Sequence, residues 1–143
     1  MTLHRHPLGR GRLVAAISAL IMLAGCVLPW YRAGGDDGIP AIEGNAFEGP
    51  GILVFLAALT TLALAALPYA AGDRPVALDR WWAYGAVAAV AAVALVARVA
   101  GIAAESGGLL TMLPDRGPGL WLAAAGVVGL LFATAEIYGR LRE

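Results

Sequence analysis

The sequence predicts an all-α membrane protein, a four-helix antiparallel transmembrane bundle with both termini in the cytoplasm. Three observations predict it. Sixty per cent of the 143 residues are hydrophobic and only 14% are charged, and the mean hydropathy is +0.77, well above that of a soluble domain of this size. Four apolar runs approach the roughly 20 residues that a spanning helix needs at about 1.5 Å rise each. The basic side chains, all ten of them arginine, gather on the tails and links that alternate spans leave on one side.

The approximate spans are 13–30, 52–70, 81–104 and 119–138, within a single domain covering 1–143. The first run extends from Leu13 to Trp30. The second, from Ile52, and the fourth, from Gly119, reach spanning length only when carried on to Ala70 and Tyr138. The third, Trp81 to Ala104, is long enough unaided. The connection Arg32 to Gly49 is rich in glycine, contains Pro40 and is expected to be irregular, as is Glu105 to Pro118; Gly72 to Arg80, with Pro75, is a tight link. Short links make consecutive helices antiparallel neighbours, and lipid requires each span to satisfy its own backbone. Gly49-Pro50-Gly51-Ile52 and Gly117-Pro118-Gly119-Leu120 open the second and fourth spans in matching fashion. The match is either shared helix-start punctuation, for which proline at the first position is a general device, or the trace of a duplicated hairpin.

Orientation follows from charge. Arg5, Arg10, Arg12, Arg74, Arg80, Arg140 and Arg142 share one side, against Arg32 and Arg116 on the other, so both termini are expected inside. Asp36, Asp37, Glu43, Glu48, Glu105 and Asp115 then form an outer acidic group. Aromatic rings prefer headgroup depth. Trp30, Tyr31 and Trp121 are expected as anchors at the outer interface, and Trp81 and Trp82, with Tyr69, Tyr84 and Tyr138, at the inner one.

Arg98 is the one charge well inside an apolar run. Seventeen residues beyond Trp81 it lies about 25 Å along the helix, a little below the outer surface of a core about 30 Å thick. It can snorkel or pair. Glu48, just outside the second span, is at a matching depth and is the expected partner in an intramembrane ion pair; Glu105, two turns from Arg98, is less well placed. Glu48 has a competing local role, since Asn45-Ala46-Phe47-Glu48 has capping-box spacing. Leu23-Ala24-Gly25-Cys26 has the form of a lipobox, but the apolar run continues past the cysteine to Trp30, which favours an uncleaved span and leaves lipidation of Cys26 open. Asp36-Asp37-Gly38 lacks the ligand spacing of a calcium loop and reads as a solvated turn. Glu136, four residues before Arg140, has the favourable order for a helix pair. Ala125, Gly129 and Ala133, and likewise Gly85 and Ala89, form small ridges suited to close helix approach.

One cysteine, two histidines confined to the N-terminal tail (His4 and His6) and zero net charge give no expectation of a cofactor, a metal site, a catalytic constellation or nucleic-acid binding. With Leu28-Pro29-Trp30-Tyr31 closing the first span, Asn45-Ala46-Phe47-Glu48 before the second, Arg98 late in the third and a glycine-rich fourth, the chain resembles small four-span membrane proteins of actinobacterial type. That resemblance implies topology and a bacterial plasma-membrane location, with an intact first span. The expected function is non-enzymatic: a small scaffold, accessory or regulatory subunit whose partners are the bilayer and another membrane protein or a second copy. The alternative is a minor transporter or channel component using Arg98 and the outer acidic group.

Overall fold

The computed structural model describes residues 9–72, 77 and 80–142; Arg5, Arg74, Pro75, His4 and His6 lie outside them. The chain is mostly helical. Helix α1 covers Arg10–Val27, strands β1 and β2 cover Tyr31–Ala33 and Ile42–Gly44, a 3-10 turn covers Gly49–Gly51, and α2 covers Ile52–Ala71. Helix α3 follows at Trp81–Glu105, a second 3-10 turn at Leu109–Met112, and α4 at Pro118–Gly139. Four helical stretches, of 18, 23, 25 and 22 residues, are long and apolar enough to cross a membrane.

The helices are antiparallel around the bundle. Arg10 at the start of α1 meets Glu136 at the end of α4, Glu48 before α2 meets Arg98 late in α3, and Gly85 early in α3 faces Thr134 late in α4. The described chain therefore begins and ends at one end of the bundle, and the β hairpin lies at the other. The closest pair is α1 and α4. A Cβ on Gly25 would fall 2.5 Å from the Ala123 nitrogen, and one on Gly126 would fall 2.4 Å from Met22 Cγ. Glycine at these crossings lets the two backbones touch, the packing available where lipid removes the hydrophobic drive between helices.

The buried ridges are not those of strict four-residue spacing. Gly119, Ala123, Gly126, Leu130 and Ala133 carry the α4 contact, whereas Ala125 is exposed, as is Ala89 on α3. A 3.6-residue turn makes a fixed step of four drift round the helix, so the contacting stripe alternates steps of three and four. The interior is filled with small side chains, among them Ala15, Ala19, Ala58, Ala88, Ala91 and Ala123, while Leu53, Leu56, Val93, Val96, Leu131 and Phe132 point outward.

Two connections differ from expectation. The first helix stops at Val27 rather than Trp30, because Pro29 disfavours helical backbone at the preceding residue and Leu28 is extended (φ −78°, ψ 157°). The segment expected to be irregular contains an antiparallel hairpin with Tyr31 opposite Gly44, Arg32 opposite Glu43 and Ala33 opposite Ile42, so the fold is not purely α-helical. Asp37-Gly38, a strong hairpin-turn dipeptide, turns it back: Asp37 takes φ 55° and Gly38 φ 81°, and the Ile39 N–H donates to the Asp36 carbonyl at 3.2 Å.

The two Gly-Pro-Gly openings serve related ends. A Cβ on Gly51 would meet the Ala46 carbonyl oxygen at 2.3 Å, and one on Gly117 the Trp30 carbonyl oxygen at 2.1 Å. In both places a helix start is pressed against loop backbone, so each motif has a packing reason of its own.

Candidate functional site

The polar side chains of interest converge at the hairpin end. Arg98 emerges from the buried stripe of α3 that also carries Ala91, Ala94 and Ile102, and it is only 6% exposed. Its Nη2 donates to Glu48 Oε2 at 2.8 Å. The structure thus brings together the two residues that depth alone had matched. The pair is lopsided: the Glu48 side chain is 52% exposed and that of Arg98 only 7%. The guanidinium is a fork with five N–H donors; Nε is buried and makes no hydrogen bond among the described residues.

Tyr31 completes the site. Its ring centroid lies 5.9 Å from Arg98 Cζ, within cation–π range, and its hydroxyl is 3.5 Å from Glu48 Oε2. Gly49, at φ 59°, turns the chain from Glu48 into α2 close enough that a Cβ there would lie 3.8 Å from Arg98 Nη1. Positive φ costs glycine little and most other residues more. The capping box is not formed: Asn45 Oδ1 accepts from the Phe47 N–H at 3.1 Å, but Glu48 makes no cap bond because its carboxylate is turned to Arg98. Glu105 is exposed.

The acidic group expected at this end is divided among arginines. Arg32 Nε meets Glu43 Oε1 at 2.7 Å across the hairpin, and Arg116 Nη2 meets Asp36 Oδ2 at 3.4 Å. Among the described residues no three His, Cys, Asp or Glu side chains are grouped so as to hold a metal ion. Reading Asp37-Gly38 as a hairpin turn in the sequence would have set Arg32 opposite Glu43.

The aromatic anchors separate into two kinds. Trp81, Trp82 and Trp121 are 40%, 46% and 53% exposed. Trp30 is fully buried, as Tyr84 nearly is, so these two rings pack inside the protein rather than facing outward as anchors. The extended Leu28–Trp30 segment folds the indole back beneath the hairpin, where its Nε1 donates to the Gly25 carbonyl at 2.9 Å and satisfies one of the carbonyls that the end of α1 leaves without a helical partner. Its backbone N–H donates to the Gly44 carbonyl at 2.7 Å, so Trp30 joins α1 to the hairpin.

At the opposite end the Glu136 carboxylate lies between two guanidinium groups, with Oε1 3.4 Å from Arg10 Nε and 3.7 Å from Arg140 Nη2. Within the helices the threonine hydroxyls are bonded to their own backbones: Thr60 to Leu56, Thr61 to Ala57 and Thr134 to Leu130.

No family model, curated protein or solved structure matches this chain.

Proposed function

We propose that this chain is a four-span integral protein of a bacterial plasma membrane, with both termini cytoplasmic, acting as a non-enzymatic scaffold, accessory or regulatory subunit through contacts with another membrane protein. The observation that carries the reading is that the threonine hydroxyls of the helices and Arg98 Nη2 are bonded within the chain, although Arg98 Nε is not. Thr60, Thr61 and Thr134 are spent on their own carbonyls, and Arg98 is buried against Glu48. Transport needs polar side chains turned toward a path, and catalysis needs a nucleophile, a base and an orienting group within reach of one another. What the molecule offers instead is shape. The hairpin end is tied together by Arg98–Glu48, Arg32–Glu43 and Arg116–Asp36, and it presents Ile39 and Ile42 at more than 60% exposure.

Membrane placement is supported by an alanine-rich inside and a leucine- and valine-rich outside, the reverse of what water demands. Orientation is supported by Arg10, Arg12, Arg80, Arg140 and Arg142 at the end that bears the termini, against Arg32 and Arg116 at the hairpin end. The resemblance to small four-span actinobacterial proteins supports the same location.

Photocrosslinkers placed at Ile42 and at Val93 in intact membranes test the reading. A discrete heavier species formed from either position, and no solute flux from purified protein in liposomes, is the expected result. Flux that disappears with Arg98→Leu would establish the transport alternative instead.

A further inference from the structure

We propose that a cavity between α3 and α4 at the hairpin end holds one acyl chain of a phospholipid from the adjoining leaflet, with the headgroup over the turn that begins α4. The proposal rests on the membrane reading above. The cavity, open on one side, offers about 370 Å³ between Leu95 and Val99 of α3 and Trp121 and Ala124 of α4, roofed by Leu109 and Leu113. The one polar atom these side chains carry, Trp121 Nε1, is spent on the Met112 carbonyl at 2.8 Å. A buried water needs two to four polar partners, and none is offered, so the occupant is hydrocarbon.

Access is from the side. The roof is pinned by its own hydrogen bonds, Ser106 Oγ to Thr111 Oγ1 at 2.8 Å and Thr111 Oγ1 to the Gly108 carbonyl at 3.0 Å, whereas Trp121 on the α4 wall is 53% exposed. Ala124, six residues into α4, is about 9 Å below the helix start, the depth of the upper part of a lipid chain.

Charge complementarity selects the headgroup. The roof ends in a turn closed by the Arg116 and Gly117 N–H groups on the Leu113 carbonyl, at 2.8 and 2.7 Å. On that turn Asp115 and Arg116 stand side by side and line a polar cleft of about 380 Å³ with Arg32 and Asp36. Hydrocarbon below one turn and adjacent opposite charges on it match a phospholipid with a phosphate and a primary ammonium. Arg116, whose exposed pair with Asp36 is a long 3.4 Å and uses Nη2 alone, takes the phosphate through its remaining N–H groups, and the Asp115 carboxylate accepts from the ammonium, a bond that a choline headgroup cannot donate.

The test is native mass spectrometry of the full-length protein in mild detergent with equal amounts of phosphatidylethanolamine, phosphatidylglycerol and phosphatidylcholine. One retained phosphatidylethanolamine per chain is expected. Filling the cavity with Ala124→Phe, or charging its roof with Leu109→Asp, should each lower that adduct at least about fivefold at unchanged far-UV circular dichroism. Leu109 lies outside the long helices, so its variant tests the site even where Ala124→Phe fails to fold. Arg116→Gln should erode the preference among the three lipids. An adduct indifferent to both cavity variants, or no adduct on the wild-type chain, overturns the proposal, as does displacement by glycerophosphoethanolamine, which has no acyl chains. A dimer mass lost with Ala124→Phe assigns the cavity to a second copy and also overturns it. Release of the chain from membranes by carbonate washing would defeat the membrane reading itself, a failure separate from any of these.

Discussion

Arg98 illustrates what a residue's depth in the sequence does and does not convey. Its position in an apolar run limited it to a partner near the hairpin end, and Glu48 at 2.8 Å is that partner. The aromatic ring beneath it was not legible, because Tyr31 reaches the site through the extended turn after Pro29 rather than through helical spacing. Removing one member of a buried pair leaves the other charge uncompensated, at a cost of about 3 to 5 kcal/mol for a fully buried pair. Glu48 is half exposed, so Arg98→Leu and Glu48→Gln should each cost less than that, about 1 to 3 kcal/mol. The double variant should cost less than the sum of the two in thermal unfolding in detergent; strict additivity would show that the pair contributes nothing. Trp30 makes the opposite point. Residue type alone assigned it to the bilayer surface, yet it is the largest fully buried side chain. Trp30→Phe keeps most of the ring volume but leaves the Gly25 carbonyl without its donor, at about 1 to 3 kcal/mol, and Trp30→Ala should cost about 3 to 5 kcal/mol. Equal losses for the two would mean that the indole N–H carries the whole effect.

Among the elements, the helices were legible and the hairpin was not. A run of about 20 apolar residues is a signal summed over many positions, whereas strands of three residues, Tyr31–Ala33 and Ile42–Gly44, are too short for alternation to register. Helix ends were legible to within three residues, the largest errors being at the two ends of α1, which begins at Arg10 rather than Leu13 and is stopped early by Pro29. Which faces meet was harder to read: small residues are so common here that many ridges can be drawn, and only the observed register selects Gly25 and Gly126. Gly126→Leu should therefore separate α1 from α4, since even a Cβ would lie 2.8 Å from the Ser18 carbonyl oxygen, and overpacking of this kind costs about 1 to 3 kcal/mol or more. Gly101, near the last turn of α3 with nothing within 4 Å of its Cβ position, provides the contrast. Gly101→Ala should raise stability by about 0.5 to 1 kcal/mol through backbone entropy. Destabilisation by Gly101→Ala, measured as a lower melting temperature in the same detergent, would count against the packing described.

At the scale of the whole molecule, composition and the placement of arginine anticipated a bundle with its ends together, and the ion pair between Arg10 and Glu136 brings those ends side by side. The function was far less legible, because the sequence offers no motif that names a substrate, a cofactor or a partner. An intact first helix is expected, since Cys26 is fully buried in α1 and Gly25 beside it packs against α4. The purified protein should therefore have the mass of the uncleaved chain, and a species beginning at a lipidated Cys26 would remove α1 from the bundle. The central claim, four spans with both ends inside, is tested most directly by a phosphatase reporter that is active only outside the cytoplasm, fused after Glu143 and, separately, inserted at Gly38 in the hairpin turn. Activity at Gly38 and none after Glu143 is the predicted result; activity after Glu143 with none at Gly38 would contradict it.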